Sequence, residues 1–454
     1  MHNGHNGEAL AASPEEVTQD ILRKHREFTP RFKALVAVLA VLFLLGVVGF
    51  IIRLQDGFEH RVKWGYYAAV VVYLLTTAQA APMVAIAPRL AKANWRRPVS
   101  RAAEMFGVVG LFNLLLFIPL LFLLPSTEGR RTIWFDGPSM SPHIWDTLAM
   151  VFLVLCGLAM LWAGSLPDMA AARDHSSGRR QGLFAKLAMG WRGTDLQWFL
   201  IRHRIGALAS LYFMFLVFTH FLIASDFVLG LVPGWKDSIF PAFQALSALQ
   251  SSIATMLVTM FVLRKWCGYE RYIGLEQFWA LSKLLLATSL LWFYFWWSGF
   301  IIFWYGRQPV EQNVISLIIS GPYLPIFFTT FILNFIIPLV LLIWNAVRRS
   351  ILGPTVVGCS ILVGTFFDRI RLYVSAFSIE DVTAHALTVV PPAHTPDIAD
   401  ILIIIGALSG AGLSYALATK VFPVVNIWEI KEYMLLRVQA AFHRMEVTIL
   451  AKPE

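Results

Sequence analysis

Several ionisable side chains stand at the ends of long apolar segments or inside them. Asp226 closes one apolar run, with His220 about a turn and a half before it on the same predicted helix, and Asp146 opens another run. Asp368 lies inside a third run, next to Arg369. A charge in the bilayer core costs on the order of 3 kcal/mol by insertion scales, so such groups usually have a partner or a function. Carboxyl groups at this depth can exchange protons with water at one membrane face.

Each of these residues also has a structural interpretation. An aspartate just before a helix is a common N-cap, and this would explain Asp146. Asp226 comes at the end of a helix, where the helix dipole disfavours an anion, so capping explains it less well. Asp368 and Arg369 could form a buried ion pair that serves only the fold.

The composition indicates that these segments cross a membrane. The chain has 454 residues, of which 57% are hydrophobic and 14% charged, whereas soluble domains carry about a quarter charged residues. The sequence predicts an all-α polytopic membrane protein of about ten transmembrane helices, built as two four-helix bundles plus two extra helices. Spans three to six and seven to ten would form the two bundles. The predicted spans are 33–53, 66–88, 104–124, 146–166, 204–225, 241–263, 280–304, 323–345, 353–377 and 400–421.

The net charge of +9 follows from topology. Most of the 37 Lys and Arg residues fall in the segments that share a side with the N-terminus. This asymmetry is the positive-inside pattern, so both termini are expected in the cytoplasm and no nucleic-acid partner is expected. We expect a cytoplasmic segment over 1–32 without a cleaved signal peptide, a transmembrane domain over 33–421, and a cytoplasmic or membrane-surface segment over 422–454.

Metal and haem sites are not expected in this chain. Its three cysteines lie in or near separate spans without CxxC spacing, which argues against an iron–sulfur cluster or a zinc site. His203 and His220 fall on one predicted helix, whereas a haem with two histidine ligands needs one from each of two facing helices. The aromatic side chains of residues 290–306 (LLWFYFWWSGFIIFWYG) are expected mostly to face lipid or neighbouring helices, with Trp304 and Tyr305 in an interfacial belt. The alternative is that they line a ring site, for which a quinone is a candidate ligand. Candidate quinone or partner contacts are Trp235, Trp304, Tyr305 and Glu311.

Six short motifs, taken in order, resemble one family. The chain resembles the NrfD/polysulfide-reductase membrane-subunit family over residues 65–430. With ten spans it is most similar to the two large membrane subunits of bacterial alternative complex III. The motifs are WDTLAM (145–150), SLPDMAAARD (165–174), GWRG (190–193), SDFVLGLVPGWKDSIFPAF (225–243), FWYG…E (303–311) and FFDR (366–369).

The resemblance implies a role in quinol oxidation in a bacterial cytoplasmic membrane. Its partners would be a homologous NrfD-like subunit, an outer iron–sulfur protein, haem c subunits, small membrane subunits, lipid and the quinone pool. Asp226 matches the family's outer aspartate, and the Pro-Gly-Trp after it matches the loop below the iron–sulfur subunit. The candidate proton path comprises Asp146, His220, Asp226, Asp368 and Arg369, with Glu104 on the inner side.

The sequence departs from the family where quinol-oxidising members carry histidines. Residues 122–131 read FLLPSTEGRR and residues 76–90 read TTAQAAPMVAIAPRL, both without histidine. The departure favours the partner subunit, the ActF type, which lacks a complete quinol site. Two alternatives stay open. The chain could be the quinol-oxidising subunit itself, or a secondary transporter, for which Gly- or Pro-interrupted spans are expected at corresponding mid-membrane positions.

Overall fold

A computed structural model describes residues 13–134, 137–442 and 445–450. Most of the described chain is helical, and eight of its helical segments are long and apolar enough to cross a membrane. The structure therefore confirms an all-α polytopic membrane protein. The helices are α1 Pro14–Arg26, α2 Pro30–Gln55, α3 Gly65–Thr77, α4 Met83–Leu90, α5 Ser100–Glu104, α6 Phe106–Leu121, α7 Ser141–Asp174, α8 Gly178–Leu187, α9 Asp195–Phe227, α10 Ile239–Trp266, α11 Leu275–Gly306, α12 Pro309–Ile315, α13 Leu324–Phe331, α14 Ile337–Leu342, α15 Asn345–Arg348, α16 Leu352–Arg369, α17 Ser375–Phe377, α18 Ile398–Val421 and α19 Ile427–Leu436.

The other two predicted spans are interrupted helices. The span predicted at 66–88 consists of α3 and α4, which are separated by turns over residues 78–82. The span predicted at 353–377 consists of α16, a π-helical segment Ile370–Val374 and α17. Further π-helical segments, Ser316–Ser320 and Ile332–Ile336, follow α12 and α13. The π-helical turns widen the backbone locally and are frequent at functional sites.

The spans form two bundles, but with a membership that differs from the prediction. The first bundle contains α3–α4, α6, α7 and α9, and the second contains α10, α11, α13–α14 and α16. The extra helices are α2 and α18, which pair extensively with each other beside the first bundle. The predicted grouping of spans three to six and seven to ten was therefore wrong by one span.

A close backbone contact explains why α2 and α18 pair. A Cβ atom placed on Gly46 would lie 2.3 Å from the Cα of Gly406, and the reverse holds for Gly406. Only glycine permits this approach, which resembles the small-residue contacts of many membrane helix pairs. The pair is also tied at one end by Arg53, which is fully buried and binds Asp400 at 2.8 Å and Asp397 at 2.7 Å.

The helix ends define two faces of the protein. We call the face that carries α1, α8 and α19 the N-terminal face. The opposite face, with the loops at 122–134, 228–238 and 378–397, is called the distal face. In the C-terminal segment, strands β1 Arg437–Phe442 and β2 Met445–Leu450 pair antiparallel. Residues 1–12, 443–444 and 451–454 of the two predicted terminal segments lie outside the described residues.

Candidate functional site

Two aspartates from different helices meet at the distal end of the first bundle. Asp146 lies in the second turn of α7, and Asp226 lies in the last turn of α9. Their buried carboxyl groups are within hydrogen-bonding reach of each other. Since α7 begins at Ser141, Asp146 does not cap this helix, and the capping interpretation was wrong. Two carboxyl groups in such contact are more stable with one shared proton than with none, because two adjacent negative charges repel each other.

The surroundings of the two carboxyl groups are unequal. The indole Nε1–H of Trp134 donates to both oxygens of Asp226, at 3.0 and 2.9 Å, and Arg130 stands close enough to attract its charge. Neither oxygen of Asp146 receives a hydrogen bond from an N–H or hydroxyl donor of the described residues. The arrangement favours a negative charge on Asp226 and the shared proton on Asp146.

A second charged group lies on α16 and the π-helical segment that follows it. Asp368 binds two guanidinium groups, that of Arg371 at 2.6 Å and that of Arg369 at 3.3 Å. Arg369 also donates to Gln244 and, at 3.0 Å, to Ser247 of α10. The predicted ion pair of Asp368 and Arg369 is thus confirmed, as part of a group with one surplus positive charge.

Tyr373 connects the two groups. The Tyr373 hydroxyl forms a hydrogen bond with Arg369. The same hydroxyl is close enough to Asp146 to interact with the charge of that carboxyl group. His220 is buried, binds the Leu216 carbonyl oxygen through Nδ1 at 2.8 Å, and lies near Arg369 with Nε2 unpaired among the described residues. The structure thus brings together five of the six residues of the predicted path. We call Asp146, Asp226, His220, Asp368, Arg369 and Tyr373 the distal site.

The sixth residue, Glu104, lies in a separate cluster toward the N-terminal face. Its buried carboxylate binds Arg89 at 2.8 Å and Arg101 at 3.4 Å. Arg101 also binds Asp168 at 3.2 Å. Asp146 and Asp168 stand near opposite ends of α7, and at 1.5 Å per residue they are about 33 Å apart. The carboxyl groups of Asp146 and Asp168 are therefore separated by about the thickness of a bilayer core.

The C-terminal segment closes this basal cluster. Glu429 of α19 binds Arg89 at 3.1 Å and Arg96 at 2.9 Å. Burial alone would raise the pKa of Glu429, but these guanidinium groups outweigh it and lower the pKa to about 2. We call the basal cluster the set of Arg89, Arg96, Arg101, Glu104, Asp168 and Glu429, which brings three guanidinium groups and three carboxyl groups together.

A proline in α7 helps to shape the basal cluster. Pro167 has no N–H, so α7 loses one backbone hydrogen bond in its last turns. The Gly164 carbonyl oxygen next to this site accepts from Arg101 at 2.6 Å and from the Trp428 indole at 3.0 Å. Asp168 follows the proline and accepts from the Trp428 backbone N–H at 3.2 Å. The SLPD motif thus serves to anchor the C-terminal segment.

The four candidate contacts for a quinone or a partner lie apart from the carboxyl pair. Trp235 lines a cleft between α10, α11 and the π-helical segment Ser316–Ser320, together with Asp237, Trp296 and Arg371. The cleft holds about 50 Å³, room for one or two water molecules. Trp304 and Tyr305 are exposed on the last turn of α11, and Glu311 is half-buried in α12.

Burial raises the pKa of Asp237 at this cleft, while the backbone N–H groups of Ile239 and Phe240, at 2.8 and 3.1 Å, act in the opposite direction. The described residues contain no group of three or more His, Cys, Asp and Glu side chains placed to hold a metal ion.

Comparison of the chain with models of known protein families and with curated protein sequences finds no match. Sequence reasoning missed Trp134 and Tyr373, which complete the distal site, and most of the basal cluster. The sequence contained one signal for the basal cluster, because Asp168 lies inside the motif SLPDMAAARD (165–174). Trp134 gave no signal, because it lies in a loop whose position depends on the whole fold.

Proposed function

We propose that the protein is an integral membrane subunit of a quinol:electron-acceptor oxidoreductase of the alternative complex III type. It anchors the outer iron–sulfur and haem c subunits and contributes to proton translocation, without a complete quinol site of its own. In this proposal it lies in a bacterial cytoplasmic membrane with both termini in the cytoplasm.

The observation that carries this proposal is the distal site. A carboxyl pair that shares a proton can take up or release one proton without creating a second buried negative charge. Trp134 and Arg130 hold Asp226 in its charged form, so Asp146 is the group that carries the transferable proton. Its position at a helix end, near loops of the distal face, suits proton exchange with water.

The residue at position 79 supports the role of a partner subunit. In the broken second span, the position at which quinol-oxidising relatives carry histidine holds Gln79. Its amide oxygen accepts from Asn113 at 2.6 Å. Gln79 cannot accept a proton from a quinol, so the quinol chemistry is assigned to the homologous subunit.

The distal face is the proposed docking surface for the electron-transfer subunits. Trp235 holds the Pro-Gly-Trp turn against Phe240, with ring centroids 4.8 Å apart. Trp304 and Tyr305 stand exposed at the same level. Aromatic side chains of this kind suit either a membrane interface or the contact with another subunit.

Native purification in mild detergent tests the assembly. We expect co-purifying iron–sulfur and haem c proteins, a second NrfD-like chain that contains the missing histidines, and haem c bands in the visible spectrum. A colourless chain that purifies alone or as a homo-oligomer would overturn the proposal.

The proton role is tested in liposomes that contain the intact complex. Asp226→Asn is expected to lower the number of protons translocated per electron while the assembly stays intact. Lys236→Gln, an exposed change in the adjacent loop, is the matched control. Unchanged translocation in Asp226→Asn would remove the distal site from the proton path.

A secondary transporter is the second candidate, and one observation favours it. The span made of α3 and α4 is interrupted at residues 78–82, and broken helices bind substrates in transporters. The corresponding first span of the second bundle, α10, is one continuous helix and has no matching gap. Isolation of a homo-oligomer that takes up a solute into liposomes would favour this function.

A further inference from the structure

The helix α10 carries a stripe of polar side chains that the distal site does not account for. It is the most buried of the eight long apolar helices, because 61% of the residues in its most apolar stretch are buried. Residues three and four apart lie on one face of a helix, and at 1.5 Å per residue this face extends over about 22 Å. The stripe consists of Gln244, Ser247, Gln250, Ser251, Thr255 and Thr259.

Three other spans of the second bundle contribute polar partners to the middle of the stripe. The amide nitrogen of Gln250 donates to Ser289 Oγ of α11 at 2.9 Å and to the Asn334 carbonyl oxygen at 2.8 Å. Ser251 and Thr365 of α16 share a hydrogen bond of 2.9 Å. All five side chains are fully buried, so a continuous polar interior runs through the bundle.

Several buried polar atoms in this interior have no partner among the described residues. They are Gln244 Nε2, Gln250 Oε1, the indole nitrogen of Trp292, and both side-chain polar atoms of Asn334. An unpaired buried polar group costs about 1–3 kcal/mol. Buried water molecules relieve this cost, since each makes two to four hydrogen bonds with such groups.

The backbone is adapted to the polar interior at Asn334. Asn334 lies in the π-helical segment Ile332–Ile336, and its backbone carbonyl oxygen accepts the hydrogen bond from Gln250. A Cβ atom on Gly364 would lie 2.2 Å from Asn334 Oδ1. Any larger residue at 364 would therefore displace the amide from the interior.

We propose that the stripe of α10 binds a chain of water molecules that conducts protons between the distal site and the N-terminal half of the membrane. The connection to the distal site is Arg369, which donates to Gln244 and Ser247. The conducting role rests on the proposed function, whereas the hydration of the stripe does not. In the first bundle, by contrast, the carboxylate of Glu104 is held by two arginines.

Hydration is tested by X-ray radiolytic footprinting of the purified protein, in which bound water generates hydroxyl radicals that oxidise the neighbouring side chains. Trp292 is expected to be oxidised although it is fully buried. Trp64 is the matched control, because it is equally buried and its indole donates to the Gly57 carbonyl oxygen at 2.9 Å. Equal protection of Trp292 and Trp64 would overturn the proposal.

Conduction is tested by the rate of proton uptake in liposomes that contain the intact complex. Gln250→Leu and Asn334→Leu are expected to slow proton uptake at least tenfold. Thr365→Val, nearly isosteric and therefore safe for folding, is expected to slow it severalfold. Gln79→Leu replaces a buried amide of the first bundle and serves as control.

The outcomes separate this inference from the proposed function. An oxidised Trp292 with proton uptake as fast in the stripe variants as in Gln79→Leu would overturn conduction along α10. If Asp226→Asn leaves translocation unchanged while the stripe variants slow it, the carboxyl pair is not part of the path, whereas conduction along α10 up to Arg369 stands.

Discussion

The carboxyl groups of Asp146 and Asp226 meet at the distal end of the first bundle, although they belong to different helices. Asp226 has the Trp134 indole as donor, and Asp146 has no N–H or hydroxyl donor from the described residues. The pair is therefore asymmetric, and this asymmetry assigns the proton to Asp146 and the charge to Asp226.

Infrared spectroscopy checks this assignment. Asp146→Asn is expected to remove the carbonyl stretch of a buried protonated carboxyl group, since Asp226 stays charged beside Trp134 and Arg130. Asp226→Asn is expected to keep this band at a shifted frequency, because Asp146 remains protonated. Loss of the band in Asp226→Asn alone would reverse the assignment.

The contact between Gly46 and Gly406 predicts a large effect of the smallest substitution. Gly406→Ala would force α2 and α18 apart, and we expect it to lower the free energy of unfolding by about 2 kcal/mol, as overpacking does. Gly412→Ala is the control on the same helix, where the new Cβ atom would lie 3.5 Å from Leu39, an ordinary contact.

The control separates packing from helix propensity. Alanine is favoured over glycine in a helix by roughly 0.5–1 kcal/mol, so Gly412→Ala is expected to be neutral or stabilising. Thermal unfolding in detergent measures both variants. Equal melting temperatures for the two would contradict close helix contact at Gly46.

The sequence predicted those features that depend on one segment at a time. The end of α9 at Asp226 and the all-α membrane fold follow from hydropathy and charge along the chain. The bundle membership was not predictable, because α2 recognises α18 through single glycines far apart in sequence. The partners of the carboxyl pair were not predictable either, since Trp134 reaches Asp226 from a loop and Tyr373 reaches Asp146 from an interrupted span.

Arg53 is expected to be the most sensitive residue of the α2–α18 pair. Arg53→Met would leave Asp400 buried without its cation, which costs about 3–5 kcal/mol for a broken buried pair. Asp400 is fully buried, and Lys63 binds Asp56 rather than Asp400. Unfolding titrations in detergent measure the loss. The double variant Arg53→Met/Asp400→Asn is expected to recover at least half of it, and no recovery would argue against charge as the cause.

The basal cluster predicts that acid releases α19. Because the pKa of Glu429 lies at about 2 in the folded protein and near 4.3 when unfolded, its contribution to stability is present above pH 4.3 and is lost as the pH falls toward 2. Glu429→Gln is expected to make the attachment of α19 weaker at neutral pH and insensitive to acid. Spin-label mobility at Leu435, an exposed position of α19, measures the attachment.

The helix α1 is expected to detach at a milder pH. His25 is buried against Phe184, and its Nδ1 lies 3.1 Å from the Thr419 carbonyl oxygen. Burial lowers the pKa of His25 to about 4, and the nearby charges of Lys420, Arg26 and Arg180 act in the same direction.

An undocked histidine binds a proton near pH 6.5, so the docked state is favoured above this pH. As the pH falls from 6.5 toward 4, docking loses up to about 3 kcal/mol. A spin label at Glu15, an exposed residue of α1, is expected to become mobile over this range. His25→Phe keeps the ring and removes the titration, so its label is expected to keep the same mobility at both pH values. A transition that persists in His25→Phe would assign the pH response to another group.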